Sequence, residues 1–256
     1  MLESRIRPVP AVSRAIAILR LLGRVRTPLG VKAIARELDL VPSTALHILR
    51  ALVADGLVQV DATKRYSLGT GMLSLARAVL ETSGFANLVQ PELDRLSRDH
   101  AVTAIGVETA GVEHMVVLAL SRARTPVRLH VDVGSRFPAL ISATGRCVAA
   151  FGDRPLAELK PRFDALRWQN APPWKAWRAE VETVRRQGYA VDRGNYIAGI
   201  TIVAVPVLNT RGHITHTLVC IGLSGQLTRV PLAALARDMR ETAKTLSANL
   251  VSASGS

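Results

Sequence analysis

The chain has 256 residues, of which 48% are hydrophobic, and it carries a formal net charge of +13. This apolar content is enough for the cores of one large or two ordinary domains, and it excludes wholesale disorder. The 28 Arg and 5 Lys outnumber the 20 acidic residues. Genome base composition can also enrich arginine, but so basic a chain favours a polyanionic partner such as nucleic acid.

The number of cysteines and the hydropathy of the sequence indicate the cellular compartment of the protein. Cys147 and Cys220 are the only cysteines, so the sequence implies no disulfide framework and predicts a reducing cytoplasm. Residues 1–14 lack the apolar core of a signal peptide. The longest apolar runs, such as residues 200–208, contain proline or are too short to span a bilayer. We therefore predict a cytoplasmic protein without a membrane partner.

The N-terminus predicts a basic tail followed by a helix. Residues 1–12 are interrupted by proline and carry positive charge. Ser13 is a suitable N-cap for a helix from Arg14 to Leu22, because its hydroxyl can accept a first-turn N–H. Gly23 is a suitable residue for ending that helix.

Residues 29–60 predict a helix-turn-helix followed by a strand. The two helices, Val31–Glu37 and Pro42–Ala54, are separated by a turn at residues 39–41. Proline suits the first position of the second helix, where its missing N–H costs nothing. Apolar residues at i, i+3, i+4 and i+7 give that helix one buried stripe. The stripe consists of Ala45, Ile48, Leu49 and Leu52.

The other face of the second helix carries Ser43, Thr44, His47 and Arg50. A helix that enters a DNA major groove needs one face anchored in a core and another able to reach base edges and phosphates. By itself, this face could also be an ordinary solvated surface. The turn before it and the hairpin after it favour DNA contact.

The hairpin expected after the second helix pairs residues 57–60 with residues 64–68 around a turn at residues 61–63. This is the winged form of the helix-turn-helix. Thr63, Lys64 and Arg65 lie at its tip, where the two cations can contact a flanking phosphate or the minor groove. The predicted DNA-binding residues are Pro42, Ser43, Thr44, His47, Arg50, Lys64 and Arg65.

The rest of the chain alternates between helical and strand patterns. A helix over residues 72–82 follows Gly69-Thr70-Gly71 and is expected to link two domains. Strands are predicted at residues 102–108, 114–120, 127–133, 189–192, 200–208 and 214–223. Helices are predicted at residues 86–100, 142–151, 156–163, 174–187 and 231–250. Strands outnumber crossovers, so the expected fold class is α+β with a mostly antiparallel sheet.

The order and spacing of several blocks resemble the IclR family of bacterial transcription regulators. These blocks are AVSRAIAILRLL, LGVKAIARELDLVPSTALHILRALVADGLVQ, YSLGTGMLSLA, ISATGRCVAAF, RRQGYAVDRGNYIAG and IVAVPV. The resemblance implies an N-terminal winged helix-turn-helix domain (1–70), a linker helix (71–84) and a GAF/PAS-like effector-binding domain (85–256). It also implies homodimers or homotetramers that bind double-stranded operator DNA and respond to small organic or aromatic acids.

The resemblance further implies an effector site made of Ala143, Thr144, Asp192, Ile202, Gly222 and Ser224. The backbone N–H groups of Ala143 and Thr144 would face a carboxylate, since the start of a helix binds anions. Ile202 and Gly222 stand where the family often has cysteine and serine. Both replacements remove polar groups, which favours a larger or more apolar effector than a small keto acid.

Two other classes of function remain as alternatives: a small-molecule enzyme and a non-specific DNA-binding protein. An enzyme would need a nucleophile, an acid/base pair or a metal cluster, and the sequence presents no such motif. Cys147 follows a helix start and could be a reactive thiol, but a buried structural cysteine is the expected reading. Asp192 could be a turn residue instead of an effector ligand. We predict no catalytic residue, metal or cofactor.

Overall fold

The computed structural model describes residues 9–82, 84–121, 131–227 and 232–254. The chain divides into two compact units, Met1–Thr82 and Ser83–Ser256. In the part of the chain that the structure describes, every helix is too short or too polar to cross a membrane.

The N-terminal unit is a helix-turn-helix with a small antiparallel sheet. Its three strands have the spatial order β1-β3-β2, so β2 and β3 form the predicted hairpin and β1 adds an edge that sequence patterns did not reveal. In chain order the elements are α1 (Pro10–Val25), β1 (Leu29–Gly30), α2 (Val31–Glu37), α3 (Pro42–Ala54), β2 (Val58–Val60), β3 (Arg65–Leu68) and α4 (Gly71–Thr82).

Helix α1 is longer at both ends than predicted. It begins at Pro10 with Val9 as N-cap, so Ser13 lies inside the helix and the predicted cap is wrong. Proline starts the helix because its fixed φ and missing N–H suit the first turn. At the other end, Arg26 adopts the left-handed conformation (φ 57°) and donates its N–H to Leu22 O. Gly23 therefore does not end the helix.

A single small core holds α3 in place. Ala45 and Leu49 of α3 are fully buried, and Ile18 of α1 and Ile34 of α2 are fully buried in the same unit. Leu52 is buried as predicted, whereas Ile48 is only half-buried. The i, i+4, i+7 spacing thus predicted the buried stripe of α3 with the exception of one position.

Two glycines let the chain pass close behind the hairpin. A Cβ at Gly69 would lie 2.2 Å from the carbonyl oxygen of Gly56, and one at Gly71 would lie 2.7 Å from it. Gly71 instead donates its N–H to that oxygen. The Gly69-Thr70-Gly71 segment therefore needs its two glycines for close packing at the start of α4.

The C-terminal unit is built on one six-stranded antiparallel sheet with strand order β6-β5-β4-β9-β8-β7. The predicted antiparallel arrangement is confirmed. In chain order the elements are α5 (Gly84–His100), β4 (Thr103–Ala110), β5 (His114–Leu120), β6 (Arg136–Pro138), α6 (Ser142–Phe151), α7 (Leu156–Asp164), α8 (Trp174–Gln187), β7 (Ala190–Arg193), β8 (Ile200–Leu208), β9 (Ile214–Leu223), α9 (Ser224–Leu227) and α10 (Leu232–Ser254).

Several of these bounds agree with the sequence patterns and some differ. The bounds of α6, α8, β8 and β9 match the predicted ranges. The short elements β6 and α9 were not predicted, because three or four residues carry too little periodicity. The strand predicted at residues 127–133 falls mostly outside the described residues.

Both faces of the sheet are buried, and strand alternation divides its side chains between two cores. Ile200, Ile202 and Ala204 of β8 belong to the core that contains α6 and α8. Val203 and Val205 of the same strand belong to the core that contains α5 and α10. Because successive side chains point to opposite faces, one residue of register decides which core a side chain enters.

His216 lies on the α5 face of the sheet, where its ring stacks on Phe85 at a centroid distance of 4.0 Å. Its Nδ1 is 3.0 Å from the hydroxyl oxygen of Thr215. Burial disfavours the charged ring and lowers the pKa of His216 from 6.5 to about 4.

We predict that His216→Phe makes the free energy of unfolding depend less on pH between pH 6.5 and about 4. Between pH 6.5 and about 4 the unfolded chain binds a proton that folded His216 does not. The free energy of unfolding of the native sequence should therefore fall with falling pH, by up to about 1.4 kcal/mol per pH unit from this group. Urea unfolding of both proteins from pH 7 to pH 4 measures the difference, and parallel curves would contradict it.

Candidate functional site

The outer face of α3 carries the side chains predicted to read DNA. Pro42, Ser43, His47 and Arg50 are exposed, and Thr44 is half-buried. They lie on the helix that Ala45 and Leu49 anchor in the core. The structure therefore presents a polar and cationic face on a rigid element, as insertion into a major groove requires.

The hairpin tip is held by one carboxylate. Asp61 Oδ1 accepts hydrogen bonds from the hydroxyl and the N–H of Thr63 and from the N–H of Arg65. These bonds lower the pKa of Asp61, the Thr63 hydroxyl contributing most. Lys64 sits between them in the left-handed conformation (φ 58°). The side chains of Lys64 and Arg65 are exposed, so both cations are free to meet a phosphate.

A cavity of about 240 Å³ lies on the α6 side of the large sheet. Strands β4, β5, β8 and β9 supply most of its wall, together with the first turn of α6 and the loop after β7. Its described lining is apolar apart from Thr144 and Tyr196. The lining residues are Ile105, Val107, Met115, Val131, Phe137, Thr144, Tyr196, Ile197, Ile200, Ile202, Val219 and Ile221.

The polar end of the cavity is the start of α6. Thr144 is in the first turn of that helix, where backbone N–H groups have no acceptor within the helix. Such groups and the helix dipole favour an anion. Gly145 is required here, because a Cβ would lie 1.9 Å from the carbonyl oxygen of Leu140. Tyr196 adds a phenol whose pKa is raised by burial.

Two of the six residues predicted for the effector site line this cavity, Thr144 and Ile202. Ala143 is fully buried next to Thr144 but is not part of the described lining. Asp192 lies behind the wall, where its Oδ1 accepts the N–H groups of Asn195 and Tyr196.

Gly222 and Ser224 belong to the opposite side of the sheet. A Cβ at Gly222 would lie 3.3 Å from Leu227, which is part of the α5 and α10 core. The Ser224 hydroxyl is 2.9 Å from that of Thr201, the cross-strand partner of Gly222. Gly222 and Ser224 therefore do not line the described cavity, since strand alternation turns position 222 away from Ile221.

A buried arginine that sequence reasoning missed ties the cavity walls together. Arg146 Nη1 donates to Ser142 O at 2.9 Å, and its Nη2 donates to Asn195 Oδ1 at 3.0 Å. Its Nη1 also lies 3.7 Å from Asp192 Oδ2, and both side chains are 1% exposed. The Nε donates to Glu180 of α8. A single charged residue in the otherwise uncharged helix α6 was the signal available in the sequence.

Reactive groups are not concentrated at the cavity. Burial raises the pKa of Cys147 to about 12, so its thiol stays protonated at neutral pH and donates weakly to Ala204 O. Cys220 is buried too, and both cysteines are free. Within the described ranges, His, Cys, Asp and Glu side chains form no group of three that could hold a metal ion.

A winged helix-turn-helix unit followed by a unit with an apolar cavity defines a ligand-responsive DNA-binding protein. The IclR helix-turn-helix domain matches residues 11–62, and the family described as "Bacterial transcriptional regulator IclR C-terminal" matches residues 77–248. The chain therefore belongs to the IclR family of transcription regulators. These are regulators that bind operator DNA and small-molecule effectors, and they are not enzymes.

Individual relatives support the same assignment. The chain is 28% identical to the HTH-type transcriptional regulator RhmR of Escherichia coli K12, over 89% of this chain and 87% of that protein. It is 28% identical to the glycerol operon regulatory protein of Streptomyces griseus, over 95% of this chain and 97% of that protein. The crystal structure of an IclR regulator from Alicyclobacillus acidocaldarius aligns with a TM-score of 0.80 and 26% identity, over 94% and 99% of the two chains.

We predict that Arg146→Met lowers the free energy of unfolding by about 3 kcal/mol or more, because it leaves Asp192 buried without a cation. Arg154→Met is the matched control, since its pair with Glu158 is half-exposed and contributes about 1 kcal/mol at most. Chemical denaturation measures both.

Adding Asp192→Asn to Arg146→Met should recover part of the loss, because the unpaired charge is then gone. Additive effects of the two substitutions would show that Arg146 and Asp192 are not coupled.

Proposed function

We propose that this protein is a cytoplasmic, effector-controlled regulator that binds a specific operator and controls catabolic genes. The observation that carries the proposal is the pairing of an exposed recognition face on α3 with an apolar cavity in the second unit. The relative in Streptomyces griseus is named for its regulation of a glycerol operon, which is consistent with catabolic control.

On DNA, α3 would enter the major groove with Ser43, Thr44 and His47 toward base edges. Pro42 starts the helix, and its first turn would lie against the DNA backbone. Arg50 and the hairpin cations Lys64 and Arg65 would bind phosphates, since their side chains are exposed. Two copies would read the two halves of a roughly palindromic site.

Pairing of two copies is supported by exposed apolar side chains in α4. Leu75 and Val79 lie one turn apart on the same face of α4 and are 55% and 60% exposed, and Leu73 on another face is 68% exposed. Adjacent large apolar side chains on an exposed helix face mark a surface that a partner covers. We infer that α4, which the sequence predicts to be the linker, contacts the same helix of a second copy and transmits the state of the effector unit.

The effector that fits the cavity is a carboxylic acid with an apolar body of about one aromatic ring. An apolar cavity of about 150 Å³ is enough to hold benzene, and the cavity here has about 240 Å³. The carboxylate would lie at the first turn of α6, near Thr144. A two- or three-carbon keto acid would leave most of the apolar wall uncovered. Of the two replacements noted in the sequence, only Ile202 contributes, because Gly222 faces the other core.

The DNA proposal predicts that Arg50→Ala weakens binding to the operator and flattens its salt dependence. Each lost phosphate contact should reduce the slope of log K against log salt by about 0.9. The operator is first located by footprinting the DNA beside the gene, and affinity is then measured at several salt concentrations. Arg178→Ala removes an exposed arginine from the C-terminal unit and should leave the slope unchanged.

If Arg50→Ala left the slope of log K against log salt unchanged, Arg50 would not be a phosphate contact. Equal affinity for the operator and for random DNA would favour the non-specific DNA-binding alternative.

The effector proposal predicts that Ile202→Phe abolishes binding of one-ring acids while DNA affinity is retained, because the added ring fills the cavity. Calorimetry with benzoate, 4-hydroxybenzoate and phenylacetate tests binding, with pyruvate and glyoxylate as small comparators. Val203→Leu is the control, since it enlarges the neighbouring side chain on the opposite face of the sheet. Tight binding of glyoxylate or pyruvate with none of the aromatic acids would contradict the proposal.

A further inference from the structure

The C-terminal unit has a second concave site, which shares no lining residue with the effector cavity. This cleft of about 580 Å³ lies between the end of α8, the β8–β9 turn and the middle of α10. We call it the basic cleft. Its lining residues are Phe151, Arg185, Arg186, Gly188, Val205, Pro206, Leu208, Asn209, Thr210, Gly212, Arg240, Ala243, Lys244 and Ser247.

Four cations line the basic cleft, and its described lining contains no carboxylate. Arg185 is already engaged, because it donates to Ala150 O and to Glu182. Arg186 donates one hydrogen bond to the Thr183 hydroxyl. Arg240 and Lys244 are exposed, and neither forms an ion pair within the part of the chain that the structure describes. Three cations therefore have donors available for a ligand.

Stabilisation of the C-terminal end of α8 accounts for only some of the four cations in the basic cleft. Arg186 lies in the last turn of α8, and Arg240 Nε is 3.1 Å from the position that a Cβ would take at Gly188, the C-cap of α8. Cations at that end favour the helix dipole. Lys244, one turn further along α10, lines the same cleft.

The lining of the basic cleft also contains apolar residues. They are Phe151, Val205, Pro206, Leu208 and Ala243, and the polar Asn209 and Thr210 of the β8–β9 turn line the cleft with them. Apolar residues together with several cations match a ligand with an aromatic or apolar body and two or more negative charges. Arginine forks bind phosphate oxygens in pairs, whereas a single carboxylate would use only one of the cations.

We propose that the basic cleft binds a small phosphorylated ligand with an aromatic body, of the nucleoside diphosphate class. The site is independent of the effector cavity, and this assignment does not rest on the proposed effector. Arg240 and Lys244 would contact the phosphates, and the body would lie over Val205 and Leu208.

The test uses the full-length protein with methyl groups labelled for NMR and three probes: ADP, pyrophosphate and adenosine. ADP should shift the Val205, Leu208 and Ala243 methyl signals, pyrophosphate should bind more weakly, and adenosine weakest. Arg240→Ala and Lys244→Ala should each weaken ADP binding roughly tenfold, as expected for a lost charge-assisted hydrogen bond. Arg178→Ala, an exposed arginine of α8 outside the cleft, should change it by less than about twofold.

Several results would overturn the assignment. ADP at millimolar concentration could leave the cleft methyl signals unmoved, or could bind equally well to Arg240→Ala and Lys244→Ala. A random DNA duplex that bound the cleft more tightly than ADP would also overturn it, in favour of a polyanion surface. Because both side chains are exposed, these variants are expected to fold.

Discussion

The arrangement of the C-terminal unit depends on a sheet that is buried on both faces. Each central strand must send alternate side chains into two different cores, so every position is committed to one face. The α6 face opens into a cavity, while the α5 face is filled by Leu218, Cys220 and the apolar side of α10. A strand residue can therefore line the cavity only if its register places it on the α6 face.

The predictions that were confirmed rest on local sequence signals. The helix-turn-helix, the hairpin and the long strands have strong signals of this kind, and their predicted ranges agree with the structure to within two residues. The cavity wall has no such signal, because β8 is apolar at every position except Thr201 and is buried on both faces, so periodicity cannot distinguish its faces. Ile202 and Gly222 were assigned to the same site by resemblance, yet only Ile202 faces the cavity. Tyr196 and Phe137 were missed because they lie in loops or short strands whose positions depend on tertiary contacts.

Two buried charged residues behind the cavity wall hold the polar part of that wall in place. Asp192 shapes the loop that carries Tyr196, and Arg146 joins that loop to the first turn of α6. Two buried charges are costly unless they are paired and hydrogen-bonded, so their presence beneath an apolar cavity needs a reason. Fixing the loop against α6 supplies one, since Arg146 then joins two parts of the cavity wall. The alternative reading of Asp192 as a turn residue is the one the hydrogen bonds support.

Pairing of two copies would account for two exposed features of the N-terminal unit, the apolar side chains of α4 and the polar face of α3. The core of this unit is small, and burying Leu75 and Val79 of α4 against another copy would remove apolar surface from water. A two-fold pair would also present two copies of α3, which is the symmetry that a palindromic operator shares. One copy of α3 would contact too little DNA for specificity over a genome, because one helix reads few base pairs. Pairing through α4 would thus provide stability and DNA specificity together, and any ligand that altered the pair would alter both.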